Sequence, residues 1–375
     1  MPEVQDVFRI YGEQYCQTNK MSYTQIKTMS AIQKCRTAEL GAHQETCQNC
    51  GTVDISYNSC RNRHCPKCQT LSKERWIDNQ KFNLLNVGYF HVVFTLPDML
   101  RPVFYQNQKI LYTLFFRVVA ETLQELAADK KHLGATLGFT SVLHTWGQNL
   151  SFHPHIHCVI PAGGLTQTET WVNSRKKFFL PIKVLSRKFR GKFLHYLKSQ
   201  KLDFFGEQSF LNEQHHYLNL IDSCYQKEWV VYCKPPFKSA ACVMEYLGRY
   251  THRVAISNNR ILKVENGKVS FKWRDYKDNN QWKVMTVSAV EFIRRFLMHT
   301  LPHGFVKIRH YGLLGNRNKT KKLILCKRLT DTPIVDKVKT STLELLNRLL
   351  GRDLSLCRHC GEPRQPHNLS PPISA

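Results

Sequence analysis

Acidic residues are scarce in this chain. Its 28 Asp and Glu stand against 54 Lys and Arg, a formal net charge of +26 with a pI near 9.6. An imbalance of that size points to a polyanionic partner, because neutralising phosphates releases their counterions. Long apolar runs are missing as well. The most apolar window, residues 87–96, is too short to span a bilayer and ends at Pro97. No basic amphipathic helix stands out either, so no membrane partner is expected. Met1 is followed by Pro2, Glu3 and Asp6 rather than a basic run and an apolar core. A secretory signal is therefore not expected, and the expected location is cytoplasmic and nucleoid-associated. The sequence has no repeat of fixed period and no Gly-rich loop ending in Lys-Ser/Thr, which argues against a solenoid and against a P-loop ATPase. In a reducing compartment the 14 cysteines read as metal ligands or buried thiols, not a disulfide framework.

What is present begins with those cysteines. Cys47-x2-Cys50 and Cys65-x2-Cys68 are two knuckles 14 residues apart, close to the spacing of a four-cysteine structural zinc site. Two intervening residues let a tight turn present both thiolates to one tetrahedral ion. Cys35, His43, Cys60 and His64 remain over, either as a second, interleaved Cys2His2 site or as core and surface residues. Arg61 and Arg63 make the module basic and suited to contact DNA. Cys357-x2-Cys360 has no partner knuckle nearby and reads as an unpaired tail, with a further zinc ligand pair as the alternative.

Residues 3–40 carry helical periodicity, and residues 89–96 read as a buried strand halted by Pro97. A helix is expected over 103–133 and a strand over 139–146. The next strand, about 155–161, carries His155-Ile156-His157. Alternation puts the two imidazoles on one face, roughly 6–7 Å apart, with Ile156 in the core behind them. Such a pair can hold one divalent metal or can simply be two polar-face histidines. If the two strands pair antiparallel, Gln148 is placed to supply a third, oxygen ligand.

Between Thr170 and Lys201 lie ten Lys/Arg and no acid, interleaved with aromatics. This suits either a groove for single-stranded nucleic acid, with Lys188 and Arg190 on the backbone, or an amphipathic helix with core aromatics. A short strand, 229–233, is expected to stop at Pro235-Pro236. Residues 240–250 have helical character, with Tyr246 and Tyr250 at i and i+4 on one face and Arg249 and Arg253 beside them. Asn266-Gly267 marks a type I′ hairpin between 260–264 and 269–274. Ser288-x-x-Glu291 opens a helix. A second acid-free basic tract over 292–330 includes Lys307 and Arg309.

Taken in order, a strand ending Phe94-Thr95-Leu96-Pro97, the His-Ile-His strand and the paired-tyrosine helix resemble the HUH endonucleases. More closely, the chain resembles the rolling-circle insertion-sequence transposases with two tyrosines, which are related to helitrons. Residues 59–69, SCRNRHCPKCQ, look like that family's zinc-binding region, and residues 246–253, YLGRYTHR, look like its tyrosine motif. The resemblance covers about residues 30–315. It implies Mg²⁺ or Mn²⁺ held by His155 and His157, with Gln148, against the scissile phosphate. It further implies attack by Tyr246 or Tyr250 to give a 5′-phosphotyrosine. Single-stranded and element-end DNA would be the substrates, with host replication factors as further partners. The fold expected is α+β, an HUH/Rep-like central antiparallel sheet of about five strands flanked by helices and preceded by a small zinc-binding domain. The domains expected are 1–80 (helical, zinc-binding, DNA-contacting), 86–315 (catalytic) and 316–375 (a basic segment and a disordered C-terminal tail). Two other readings remain: a replication initiator or relaxase with the same chemistry, and a non-catalytic zinc-dependent DNA-binding regulator.

Overall fold

A computed structural model of the chain describes residues 1–363 apart from 176–178, 238–241, 244–247, 249–253, 277, 318 and 337–339. The N-terminal helical stretch divides at Ser22 into α1 (Val4–Thr18) and α2 (Tyr23–Lys34). Ser22 and Gln25 form a reciprocal capping box that starts the second helix. A hairpin follows, β1 (Ala42–Thr46) and β2 (Val53–Tyr57), and then α3 (Pro66–Lys81), which has its proline at the first helical position.

The expected α+β architecture is present. Strands β3 (Tyr89–Thr95), β4 (Gly138–Trp146), β5 (Phe152–Pro161), β8 (Val231–Phe237) and β12 (Ile308–Gly312) form one antiparallel sheet in the order β12-β4-β5-β3-β8. β5, the histidine strand, lies at its centre beside β3. Between β5 and β8 in sequence, and outside this sheet, lie the small pair β6 (Gly163–Leu165) and β7 (Trp171–Asn173). β8 runs through Pro235-Pro236 instead of stopping there. It is an edge strand, with one side that has no ladder to break.

One face of the sheet is covered by helices. The helix expected over 103–133 is broken at Asn107 into α4 (Arg101–Gln106) and α5 (Gln108–Ala128), and the Asn107 amide is held by Val103 O and Asp203 O. α6 (Ile182–Leu197) packs beside α5, followed by α7 (Gln214–Gln226). Phe94, Ile156, Cys158 and Ile160 bury against Phe104, Phe115, Phe189 and Phe193 in this core. That placement decides between the two readings of the 170–201 tract. Phe179, Phe189 and Phe193 are core residues, while Lys188 and Lys192 pair with acids of α5. Over Ile182–Leu197 the tract is an amphipathic helix whose aromatic rings belong to the core.

A second core joins the chain's beginning to residues 261–297. β9 (Ile261–Glu265) and β10 (Lys268–Asp275) make the expected hairpin, with Asn266 and Gly267 both at positive φ. β11 (Gln281–Ser288) extends it to a three-stranded sheet that periodicity did not show, and α8 (Ala289–Leu297) starts at the Ser288 cap. Phe271, Phe292 and Phe296 pack with Val4, Phe8, Cys35, Cys65 and Cys68. The cysteine module shares a buried core with this sheet. Beyond residue 316, α9 (Lys319–Leu329) and α10 (Thr342–Leu350) are ordered, and α10 returns to α3 through Arg348 and Asp78 at 2.9 Å. The terminal segment 364–375 lies outside the described residues. Among the described helices, none is long and apolar enough to cross a membrane.

Candidate functional site

Antiparallel register builds the site. In β5, His155 and His157 face away from the helical core while Ile156 is fully buried in it. His155 is paired across the strands with His144 of β4, so the two project from the same face. A ring nitrogen from each of His144, His155 and His157 lies within 4.8 Å of the others. Three imidazoles at this spacing suit one divalent ion with open positions, and nitrogen donors suit Zn²⁺ and other transition ions better than Mg²⁺, which prefers oxygen and water.

The rings are oriented by their neighbours. His155 Nδ1 lies 2.7 Å from the His153 carbonyl and donates to it, which leaves Nε2 as the ligand atom. His157 Nδ1 lies 2.8 Å from Nε2 of His91, on the adjacent β3, with the two rings stacked. Burial, with Lys234 adding to it, holds His91 down at about 3. Neutral His91 can thus accept from His157 Nδ1–H, again directing Nε2 to a metal. His144 stacks on Trp146 with ring centroids 4.6 Å apart. His153 is turned to Arg101, 2.8 Å away.

Gln148, expected to supply an oxygen ligand, lies in the turn just beyond β4. Its side-chain amide donates to Tyr276 Oη at 2.8 Å, and Arg260 donates to its backbone carbonyl at 2.5 Å. The third nitrogen at the imidazole site is that of His144. The signal was present in the strand pairing, since antiparallel β4 and β5 have to set one residue of β4 opposite His155. Tyr246, Tyr250, Arg249 and Arg253 lie outside the described residues. Their flanks are described. Val243 is buried against Tyr89 and Val159, on the histidine face of the sheet, together with Trp76 and Ile77 of α3. At Gly248 an added Cβ would run into Ile77. Gly248→Ala is expected to be less favourable beside Ile77 than in the Ile77→Ala background, by about 0.5–3 kcal/mol. Denaturant midpoints of the two single variants and the double variant measure this coupling, and strictly additive midpoints would refute the contact.

The cysteines group differently from their spacing. Cys47-x2-Cys50 and Cys65-x2-Cys68 do not share a site. Cys65 and Cys68 meet Cys35 and Cys60, with Sγ–Sγ separations of 3.6 Å for Cys35–Cys68, Cys60–Cys68 and Cys65–Cys35. Four sulfurs about 2.3 Å from one zinc ion stand about 3.8 Å apart, whereas a disulfide needs about 2.05 Å. This donor set therefore fits a closed structural zinc site. Hydrogen bonds from Cys60 and then Cys65 hold the Cys35 thiol down at about 6. The interleaved Cys2His2 set does not form. His43 sits in β1 opposite Ser56, and His64 Nε2 accepts from the Leu301 N–H at 3.3 Å. Burial, then Arg63, lowers His64 to about 3.

The basic residues also sort themselves. Arg61 is exposed. Arg63 donates to Phe305 O at 2.6 Å, and with Lys307 it borders a small internal gap beside His64 and His299. Lys188 pairs with Glu125; Arg190 holds Lys227 O and lies over the Tyr225 ring; Arg309 lies over Phe116 and Phe305. A groove of about 820 Å³, missed in the sequence, runs between α3 and the three-stranded sheet. Lys67, Lys73, Arg274, Gln148 and Gly248 line it, and the exposed rings of Tyr276 and Trp282 stand along it.

Two family models match the chain, one described as "Putative transposase" over residues 138–322 and one as "Transposase zinc-binding domain" over residues 7–96. The chain is 48% identical over 369 residues to "Putative transposase y4qJ" of Sinorhizobium fredii, covering 96% of this chain and 93% of that one. It is 30% identical over 299 residues to the transposase for insertion sequence element IS801 of Pseudomonas savastanoi pv. phaseolicola, covering 78% and 71%. No solved structure matches it. The fold, the thiol cluster and these matches together define a transposase that carries its own zinc-binding domain. Within that class, the chain belongs to the IS91 family of insertion-sequence transposases.

Proposed function

We propose that this transposase cuts and rejoins single-stranded DNA as a two-tyrosine HUH nuclease, working by rolling-circle transposition. The observation that carries this reading is the three-imidazole face of β4 and β5. It is supported by the packing of Val243 on the same sheet face and of Gly248 on α3, on either side of Tyr246 in the tyrosine segment. A divalent ion held by His144, His155 and His157, Mg²⁺ or Mn²⁺ as the resemblance implies, would polarise the scissile phosphate and orient it for in-line attack. Tyr246 or Tyr250 supplies the nucleophile. A bond forms between the phenolic oxygen and phosphorus, and the bond from phosphorus to the 3′ oxygen breaks. The phenolic proton passes to solvent, and the leaving oxygen takes up a proton to become a free 3′-OH. The 5′-phosphotyrosine keeps the phosphodiester energy, so a 3′-OH can reverse the step without ATP. Two tyrosines allow two strand transfers without releasing the first end.

The groove beside Gly248 offers a path for the strand, with Arg274 for phosphates and Tyr276 and Trp282 for bases, while Lys67 and Lys73 on its wall pair with Glu3 and Glu74. Cys35, Cys60, Cys65 and Cys68 hold a structural zinc that fixes α3, the wall against which Gly248 packs.

The test is a covalent adduct. Wild-type protein, Mn²⁺ and single-stranded oligonucleotides from both ends of its own insertion sequence should give a denaturant-resistant protein–DNA species. Tyr246→Phe with Tyr250→Phe should reduce its formation by about a thousandfold or more. The mechanism is wrong if wild type forms no adduct with any of these ends, or if the double variant still forms it. The first result would favour a non-catalytic DNA-binding regulator, and the second a nucleophile other than the two tyrosines.

A further inference from the structure

The two knuckles left over by the first zinc site lie together. Cys47 Sγ is 3.7 Å from Cys360 Sγ, a residue 313 positions away, and Cys50 Sγ is 3.7 Å from Cys357 Sγ. All four ligand atoms lie within 4.8 Å of one another. The separations match the edge of about 3.8 Å expected of a ZnS4 tetrahedron and far exceed a disulfide.

The two turns are copies of each other in backbone detail. In the first, Gly51 N–H donates to Cys47 O and Cys47 N–H to Thr52 O; in the second, Gly361 N–H donates to Cys357 O and Cys357 N–H to Glu362 O. Each reads Cys-x2-Cys-Gly, with the glycine at φ +69° or +78°, a conformation a side chain would strain. His359 N–H points at Cys357 Sγ at 3.5 Å, the kind of bond that stabilises a thiolate. Arg358 of the second turn pairs with Asp54 of β2 at 2.7 Å, fixing one knuckle on the other. Cys47 and Cys357 are 8% and 3% exposed on a segment that is otherwise largely open to solvent.

We infer that Cys47, Cys50, Cys357 and Cys360 form a second structural zinc site, which closes the C-terminal segment of the chain onto the N-terminal hairpin. The family's zinc-binding model ends at residue 96 and does not contain the second knuckle. The closure does mechanical work. It brings α10 against α3, where Arg348 meets Asp78 and Arg75 meets Thr342 at 2.5 Å. The C-terminal segment thereby braces, from behind, the helix on which Gly248 packs. This inference stands apart from the nuclease reading, because it concerns thiols that touch no part of the imidazole site.

The experiment uses the full chain, purified with zinc under reducing conditions. Zinc per chain is measured by elemental analysis for wild type and for Cys357→Ser/Cys360→Ser, and each thiol's alkylation is followed by mass spectrometry. The serine variant should hold one zinc fewer than wild type. In wild type, Cys47, Cys50, Cys357 and Cys360 should react more than about tenfold slower than the exposed Cys16 and lose protection together as chelator is raised. Cys47→Ser/Cys50→Ser should expose Cys357 and Cys360, although they lie some three hundred residues away. If a serine variant fails to fold, the chelator series on wild type decides alone. An unchanged zinc count in a folded serine variant overturns the site. So does a wild-type Cys357 that reacts as fast as Cys16, or a disulfide in a non-reducing peptide map.

Discussion

Alanine at His144 is expected to lower adduct formation by about three orders of magnitude, with the fold intact. A divalent ion acting as Lewis acid on a phosphoryl group contributes several kcal/mol to the transition state, and each 1.36 kcal/mol is about a factor of ten in rate. Removing one of three imidazoles leaves too few donors to hold the ion in place. His155→Ala and His157→Ala should behave alike. Gln148→Ala is the informative contrast, because its amide is bonded to Tyr276 and the third nitrogen at the imidazole site comes from β4. It should lose less than about tenfold, and what it loses should appear in DNA affinity, since Gln148 lines the basic groove. Cleavage is measured in single turnover across a Mn²⁺ titration, and binding separately by anisotropy. An inactive Gln148→Ala beside a fully active His144→Ala would make Gln148 the third ligand and exclude His144 from the ion.

The second large effect concerns stability. Cys65→Ser is expected to lower the unfolding free energy by about 3–5 kcal/mol and to release zinc. Cys35, Cys65 and Cys68 are not at the periphery; they belong to the same buried cluster as Val4, Phe8, Phe271 and Phe292. Loss of the ion would leave uncompensated thiolates and a cavity in a core that α1, α2, β10 and α8 all share. The transition should therefore be felt across that whole unit rather than in a local finger. Denaturant unfolding followed by far-UV signal and released zinc measures it, with Cys16→Ser, an exposed thiol, as the unchanged control. A Cys65→Ser protein with wild-type midpoint and zinc content would show that this cluster holds no structural metal.

Much of the molecule was legible from periodicity alone. Alternation along 155–161 correctly set two imidazoles on one face with Ile156 behind them. The Asn266-Gly267 turn and the Ser288 cap were likewise readable, because both depend on the backbone preferences of one or two residues. What failed were statements about partners. Arg63 and Lys307 looked like DNA contacts by charge, yet a carbonyl and an internal gap take them up. The basic run on α6 looked like a nucleic-acid groove until the acids of α5 were set against it.

The scarcity of acid, the Cys-x2-Cys turns and the His-x-His strand fixed what kinds of partner and ligand this chain has, because they are properties of neighbouring residues. Which thiols and which imidazoles meet was decided by tertiary structure. The five residues of β1, at about 3.4 Å each, carry Cys47 and Cys50 roughly 17 Å from the hairpin base where Cys35 and Cys60 lie. Two knuckles 14 residues apart are thereby sent to different thiol clusters, and one of them finds its counterpart 313 residues later. His144 joins His155 for the same reason: an antiparallel register, not sequence spacing, determines what stands opposite what.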